Sequence, residues 1–315
     1  MNFVALDFET ANEKRNSACA LGLTVIRDGA VEKSIYQLIR PRELRFSHWN
    51  VKVHGITAED VIDAPTLDSF WPEIAGLFET QLIVAHNTSF DISVLRHSLH
   101  ACSIPIPRLS YLCTLQLSRQ IWPQLISHKL NYLAMFHGIS LDHHHAGSDS
   151  YAAASLLLRA LQENNHVCPR KLAVKFNLTI GEIFSDQNWT PSSAPRSRPN
   201  STKIELEIPV DFDSTVHPLN GKNVVFTGKL ETFERESAQQ IVKQFGGTAK
   251  TSVSSRTDYL VAGLQDARQL AKGSEVSGNL KDAISLREKG YDIRIISEDD
   301  FLEMVFQPNN TGDIS

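Results

Sequence analysis

Phe3-Val4-Ala5-Leu6-Asp7-Phe8-Glu9-Thr10 starts as an apolar run and then alternates acid and aromatic. In an extended strand successive side chains point to opposite faces, so Asp7 and Glu9 share one face while Val4, Leu6 and Phe8 share the other. An isolated acid-x-acid pair commonly ends a strand at the surface, but the wholly apolar Phe3–Leu6 stretch is typical of a central strand. Two carboxylates crowded on one sheet face repel each other unless a cation lies between them.

Outward from this strand, residues 20–26 and 34–39 read as two more strands, joined around the turn signal Arg27-Asp28-Gly29 as an antiparallel meander. Helical spacing of apolar residues follows over 67–78, then a short buried strand over 81–85 and helices over 90–99, 127–137 and 149–161. Such an order implies an α/β fold, a mixed sheet covered by helices, over residues 1–165. A short helix over 171–176 suggests a helical extension, 166–184. Residues 185–216, which include Thr190-Pro-Ser-Ser-Ala-Pro-Arg-Ser-Arg-Pro-Asn-Ser-Thr202, are too poor in apolar surface to order themselves and read as a flexible linker. Strands over 223–227, 259–262 and 292–296 then alternate with helices over 234–245, 279–289 and 298–305, a second small α/β domain at 217–306 ahead of a disordered tail, 307–315.

The 315 residues suit two folding units, and 42% hydrophobic with 21% charged residues is globular composition. The formal net charge is −5 and no segment is basic, so nucleic-acid binding would rest on local geometry and metal ions instead of a broad positive field. Cys19, Cys102, Cys113 and Cys168 form no C-x-x-C pair, the pattern of reduced thiols in a cytoplasmic protein. The N-terminus has no signal-peptide pattern and no apolar run reaches about 18 residues, so a membrane partner is not expected.

Two further acids, one of them preceded by a run of histidines, accompany Asp7 and Glu9. Asp91 follows Ala85-His-Asn-Thr-Ser-Phe90, where a strand turns into a helix whose positive end favours a carboxylate. Asp149 begins a helix just after His143-His-His-Ala-Gly-Ser148. With hard oxygen donors dominant and no cysteine nearby, the set suits Mg²⁺ or Mn²⁺ better than a transition metal.

The segments Asp7-x-Glu9, Asn87-x-x-Phe90-Asp91 and His144-x-x-x-x-Asp149 resemble, in order, the three motifs of the DEDDh 3′→5′ exonuclease superfamily, which has a ribonuclease-H-like fold and includes the proofreading epsilon subunit of bacterial DNA polymerase III. Thr10, Val53-His-Gly-Ile-Thr57 and Lys129-Leu-Asn-Tyr-Leu133 extend the match over residues 1–165. The resemblance implies that Asp7, Glu9, Asp91 and Asp149 hold two Mg²⁺ (or Mn²⁺) ions and that His144 is the general base. His145 is its main competitor if the loop shifts register, and His143 the next. Thr10, His54, Asn87 and Phe90 are implied to lie near the terminal nucleotide; Phe90 also suits a core position and His54 a turn cap. Two divalent ions can hold both the attacking and the leaving oxygen of a phosphodiester displacement, and a histidine with a pKa near working pH suits the proton transfer.

The second domain carries Leu219-Asn-Gly-Lys-Asn-Val-Val-Phe-Thr-Gly-Lys-Leu230, Phe245-Gly-Gly-Thr-Ala-Lys250 and Ser254-Ser-Arg-Thr-Asp-Tyr-Leu-Val-Ala-Gly263, and is similar to the BRCT domain of bacterial NAD-dependent DNA ligases, with a short parallel sheet. It departs in having Phe301 where the family often has tryptophan, and in a long Gln265–Asn279 segment. In phosphate-binding members the matching positions are Thr227, Gly228 and Lys281; a scaffold without phosphate binding is the alternative. The combined expectation is a 3′→5′ exonuclease acting on nucleic acid with a free 3′ end, DNA preferred, recruited by a BRCT domain that takes a phosphorylated protein or a DNA 5′ phosphate. A 3′→5′ exoribonuclease, and an inactive adaptor that binds phosphorylated partners, are the competing readings.

Overall fold

The computed structural model describes residues 1–125, 127–184, 188–194, 217–230, 234–263 and 277–306. The 307–315 tail, most of the expected linker (185–187 and 195–216) and most of the long Gln265–Asn279 segment lie outside the described residues. Two compact units form, Met1–Pro123 with Leu133–Asn200, and Gln124–Tyr132 with Ser201–Ser315.

The first unit is built on β1 (Phe3–Thr10), β2 (Ala18–Arg27), β3 (Ala30–Leu38), β4 (Leu82–Ala85), β5 (Leu109–Cys113), β6 (Gly181–Ile183) and β7 (Trp189–Thr190). These form one sheet in the order β3-β2-β1-β4-β5-β6-β7. The expected meander is present: β2 and β3 are antiparallel across the two-residue turn Asp28-Gly29, whose φ angles of 51° and 84° give the positive-φ hairpin geometry that matches strand twist. β1 runs antiparallel to β2 but parallel to β4, and β4 parallel to β5, so the sheet is mixed with β1 an interior strand where the two senses meet.

Both faces of β1 are covered. Val4, Leu6 and Phe8 pack in one core with Phe70, Ile74 and Phe78 of α2 (Leu67–Thr80) and with Ile92, Leu95 and Leu99 of α3 (Thr88–Ala101). The Asp7 face lies instead under α6 (Ala146–Glu163), and what seats α6 there is an absent side chain. Gly22 is the cross-strand neighbour of Asp7. A Cβ at Gly22 would stand 1.9 Å from the Ala146 carbonyl oxygen, so only glycine lets the first turn of α6 lie down on the sheet. Two pairs along, on the same face, buried Thr24 and Ser150 join hydroxyl to hydroxyl at 3.0 Å.

The structure adds elements to the sequence reading. The helix α1 (His48–His54), the strand β5 and the helix α4 (Thr114–Ile121) were not expected, and the helix expected over 127–137 is confined to α5 (Leu130–Phe136). The extension holds α7 (Pro169–Lys175), but its end is β6, which pairs antiparallel with β5 and so belongs to the sheet. Ordered structure also continues into the expected linker: β7 pairs with β6, and Thr179 bridges Ser193. Composition missed this because the segment is held by hydrogen bonds and not by apolar burial. Tyr111 donates its hydroxyl to the Thr190 carbonyl at 2.6 Å, and the Ser192 hydroxyl accepts from the Cys113 amide at 3.1 Å.

In the second unit β8 (Asn223–Thr227), β9 (Thr248–Lys250), β10 (Tyr259–Ala262) and β11 (Arg294–Ser297) form a wholly parallel sheet in the order β11-β10-β8-β9. The helix α8 (Arg235–Gln244) connects β8 to β9, α9 (Gly278–Glu288) precedes β11, and α10 (Glu298–Phe306) follows it. Phe301 is fully buried and meets Phe226 edge to face at 5.2 Å, filling a core position that a tryptophan often holds in the similar family.

Gly22→Ala is expected to lift the first turn of α6 from the sheet, because a methyl group forced against backbone cannot be relieved by a rotamer change. The expected cost is about 3 kcal/mol, read as a lower midpoint in thermal or denaturant unfolding. An unchanged midpoint would contradict this seating of α6.

Candidate active site

Each acid reaches the centre of the first unit by a different local device. Asp7 and Glu9 are carried by β1, and a register shift against β2 falls between Glu9 and Thr10. Such a bulge re-aims side chains at the end of a strand. Beyond it α1 braces the strand end: Asn50 donates through Nδ2 to the Thr10 carbonyl at 2.7 Å and lies 3.2 Å from the Thr10 hydroxyl. His54 accepts from the Ile56 amide at Nδ1, which leaves Nε2 to donate to the same Thr10 carbonyl at 3.1 Å. Burial lowers the pKa of His54 and keeps it neutral for that job. His54 and Thr10 therefore sit beside the acids as a braced pair.

Asp91 stands in the first turn of α3, behind a sharp corner where Asn87 adopts a left-handed conformation (φ 71°). β4 pairs with β1 only at Val4 and Ala5 and then leaves it, so the Phe8 amide lacks a strand partner on that side. The Asp91 carboxylate accepts that amide at 3.0 Å, which fixes the start of α3 against the strand. Asn87 is exposed and accepts from the Ser89 hydroxyl at 2.9 Å. Phe90 is partly buried against the core, as its apolar character suggests.

Asp149 lies in the first turn of α6, and the histidine loop is wound around it. One carboxylate oxygen lies 3.1 Å from Nδ1 of His143, and the other accepts the backbone amide of His144 at 2.9 Å. His144 takes a positive φ of 66° to make that bond, and its ring stacks on His143 with centroids 3.9 Å apart. His145 does something else: its Nδ1 accepts the Ser148 amide at 3.2 Å as the helix N-cap, and its ring stacks on Tyr36 at 4.1 Å. The structure thus engages His145, the main competitor of His144 in the sequence reading, in capping, and puts His143 and His144 next to the acid.

Ligand atoms of Asp7, Glu9 and Asp149 all lie within 4.8 Å of one another, as do those of His143, His144 and Asp149. Asp91 falls outside the first group but is electrostatically tied to it. The Asp7 carboxyl is pushed well above the usual carboxylate range, first by burial and then by the charges of Asp91, Asp149 and Glu9. Asp91 is pushed up to about 8, mainly by burial and also by Asp149, against the pull of the Phe8 amide and of Arg15. A protein interior that makes carboxylates this hard to ionise, yet collects them on one face, is built for a compensating cation. The donors are carboxylate oxygens with imidazole at the margin, which fits a hard divalent ion.

Two residues that the sequence reading passed over belong to this site. Asn50 braces Thr10, and Arg15 sits over Phe90 with its guanidinium carbon 4.4 Å from the ring centroid. Neither has a motif signal, since Arg15 reads as one charge in Glu13-Lys14-Arg15.

In the second unit Thr227 is buried and its hydroxyl is engaged by that of Ser277, the N-cap of α9. Gly228 has φ 72°, and its carbonyl accepts from Arg235 at 2.6 Å. Lys281 is exposed in the first turns of α9. Thr227 and the start of α9 are thus brought together, although the hydroxyl expected to meet a phosphate is already spent on Ser277. No helix among the described residues is long and apolar enough to cross a membrane.

Comparison with known proteins agrees with this two-part organisation. Residues 4–157 match the family described as "Exonuclease", and residues 214–305 the BRCA1 C Terminus (BRCT) domain. The chain is 27% identical over 164 residues to a DNA polymerase III PolC-type of Caldanaerobacter subterraneus subsp. tengcongensis, covering 51% of this chain and 12% of that protein. It is 26% identical over 164 residues to a 3′-5′ exonuclease DinG of Staphylococcus epidermidis, covering 51% of this chain and 18% of the relative. A DNA ligase of Citrifermentans bemidjiense is 40% identical over 85 residues, 27% of this chain and 10% of the ligase. The chain therefore spans under a fifth of the length of each of these relatives. Among solved structures, Exonuclease X in complex with 5′ overhanging duplex DNA aligns with 55% of this chain and 99% of its own at a TM-score of 0.46 and 23% identity. The chain joins an N-terminal exonuclease-family domain, residues 4–157, to a C-terminal BRCT domain, residues 214–305.

Proposed function

We propose that this protein is a 3′→5′ exonuclease that removes nucleotides from nucleic acid with a free 3′ end, with DNA as the leading substrate. The observation that carries the reading is the convergence of Asp7, Glu9 and Asp149 to within 4.8 Å on a covered sheet face, with Asp91 coupled to them and His144 beside them. Relatives named as a PolC-type polymerase, a 3′-5′ exonuclease and a DNA ligase support the polarity and the preference for DNA.

Asp7, Glu9, Asp91 and Asp149 would hold two divalent ions, Mg²⁺ or Mn²⁺, with ligand atoms of Asp7, Glu9 and Asp149 close enough to share one. Bound there, such ions supply Lewis-acid stabilisation of the phosphate oxygens and an activated water. The chain's own groups do the rest. An imidazole nitrogen of His144 accepts the proton of the attacking water, with the loop fixed by the amide bond to Asp149. His143 holds the other Asp149 oxygen in place. Thr10, braced by Asn50 and His54, and Asn87 with Phe90, flank the site where the terminal nucleotide would lie. The BRCT domain would dock the enzyme on DNA or on a protein partner; a phosphate ligand there has to displace Ser277 from Thr227.

The direct test is digestion of matched 5′-labelled DNA and RNA oligonucleotides in Mg²⁺. A ladder of shortened DNA supports the reading, a preference for RNA makes it an exoribonuclease, and inactivity on both favours an adaptor. Asp7→Ala should reduce turnover by about 10³-fold or more, since several kcal/mol of transition-state stabilisation leave with the ligand. The same variant should keep or raise the unfolding midpoint in EDTA, because it relieves burial and repulsion of a carboxylate.

Among the histidines, His144→Ala should lower kcat by about 10²-fold or more. His145→Ala should act chiefly on stability, by about 1 kcal/mol, through loss of the cap. A larger loss of kcat in His143→Ala than in His144→Ala would move the base to His143.

The raised carboxyls also set a pH dependence. A carboxyl with a raised folded-state pKa stabilises below its unfolded value, near 4, and loses that contribution as pH rises through its folded value, about 8 for Asp91. A cation that binds the ionised form offsets the loss. The rise in melting temperature on adding Mg²⁺ should therefore be larger at pH 8 than at pH 5.5 in the wild type, and nearly flat with pH in Asp7→Ala. An equal rise at both pH values would contradict the metal assignment.

A further inference from the structure

Arg15 lies in the connection between β1 and β2, which is a built loop and not a slack one. The Ala11 amide donates to the Ser17 carbonyl at 2.8 Å, the Lys14 amide to Oδ1 of Asn12 at 3.0 Å, and the Ser17 hydroxyl to the Lys14 carbonyl at 2.7 Å. Asn12 in turn donates to the Arg45 carbonyl at 2.7 Å, and the Ser98 hydroxyl of α3 lies 3.4 Å from the carbonyl of Arg15 itself. The loop that carries Arg15 is thereby closed on itself and tied to two other parts of the fold, the segment at Arg45 and the helix α3.

The neighbouring cations have acid partners. Lys14 meets Glu43 at 2.6 Å, and Arg45 meets Glu13 at 2.7 Å. Arg15 has no ion pair among the described residues; its guanidinium lies over the ring of Phe90, the residue before Asp91. A guanidinium that rests over an aromatic ring spends none of its N–H donors on that contact, and the fork they form matches phosphate oxygens bidentately. Arg15 is also exposed, so its side chain is open to solvent. Its charge reaches the site, since it draws the Asp91 carboxyl down.

A polyanion brought to four acids in a chain of net charge −5 needs local cationic contacts. We propose that Arg15 binds a backbone phosphate of the nucleic-acid strand close to the 3′ end under attack, with Phe90 as the platform that pre-orients its guanidinium. This rests on the exonuclease reading and adds to it a substrate-positioning residue outside the acid and histidine set. The loop bonds explain why an exposed arginine is held there: its freedom is reduced before the strand arrives.

The test is steady-state digestion, across a range of KCl concentrations in Mg²⁺, of whichever 5′-labelled single-stranded oligonucleotide the wild type degrades. Arg15→Ala and Arg15→Gln are compared with Arg15→Lys. Loss of one phosphate contact should raise KM by about tenfold, leave kcat within about twofold, and reduce the slope of log(kcat/KM) against log[KCl] by about 0.7. Arg15→Gln keeps a planar group on the ring and should fail as Arg15→Ala does, while Arg15→Lys keeps the salt slope. A wild-type KM and slope in Arg15→Ala would overturn the proposal and leave the exonuclease reading standing. Wild-type behaviour of Arg15→Gln beside a defective Arg15→Ala would overturn it too, by reducing Arg15 to packing on Phe90. Wild-type protein that digests neither DNA nor RNA would remove the exonuclease reading, and this role with it.

Discussion

Mutual repulsion among Asp7, Glu9, Asp91 and Asp149, in a place where burial already disfavours charge, is the constraint around which the first unit is arranged. A fold does not collect carboxylates at the centre of its sheet for stability, since desolvation and like charge both oppose it. The surrounding structure holds the acids by other means. The Phe8 amide anchors Asp91, and the His144 amide with His143 anchors Asp149. Asp7 and Glu9 are fixed by a strand whose other face is core. The geometry is therefore prepared ahead of any cation, and binding has little chain left to order.

The same constraint accounts for the unusual backbone. Asn87 and His144, both at positive φ without being glycine, stand just before the helices that deliver Asp91 and Asp149. Each corner is tight enough to turn a loop into a helix whose first turn carries an acid at the positive end of the helix. Gly22 completes the arrangement from the sheet side by leaving room for the Ala146 backbone. Asp149 can reach the Asp7 face only because the strand beside β1 has no side chain at that position.

Much of this was legible in the sequence, for reasons that also mark where legibility ends. Asp7 and Glu9 announced themselves because strand alternation is a rule of period two, and the apolar Phe3–Leu6 run gave their depth. The motifs at Asn87–Asp91 and His144–Asp149 carried the rest of the set. What stayed hidden depended on contacts between distant segments. Trp189–Thr190 looked like linker because its stability comes from pairing with Gly181–Ile183 and from the Tyr111 hydroxyl, neither of which has a local signature. The order among His143, His144 and His145 could not be read from spacing alone, since it is the cap to Ser148 and the stacking on Tyr36 that engage His145. Arg15 escaped for the same reason, its significance lying in a ring 75 positions away in the chain.

In the second unit the phosphate-site residues expected by resemblance meet a different physical situation. A hydroxyl that binds phosphate has to be free to donate, and a lysine that assists must be able to approach it. Thr227 is buried and bonded to Ser277, while Ser277 also accepts the Leu280 amide as the cap of α9. Releasing Thr227 to a ligand thus costs one part-buried hydroxyl contact, although the helix cap can remain. A ligand must supply more than that single bond, which favours an occupant with several acceptor oxygens or one that makes contacts beyond the pocket.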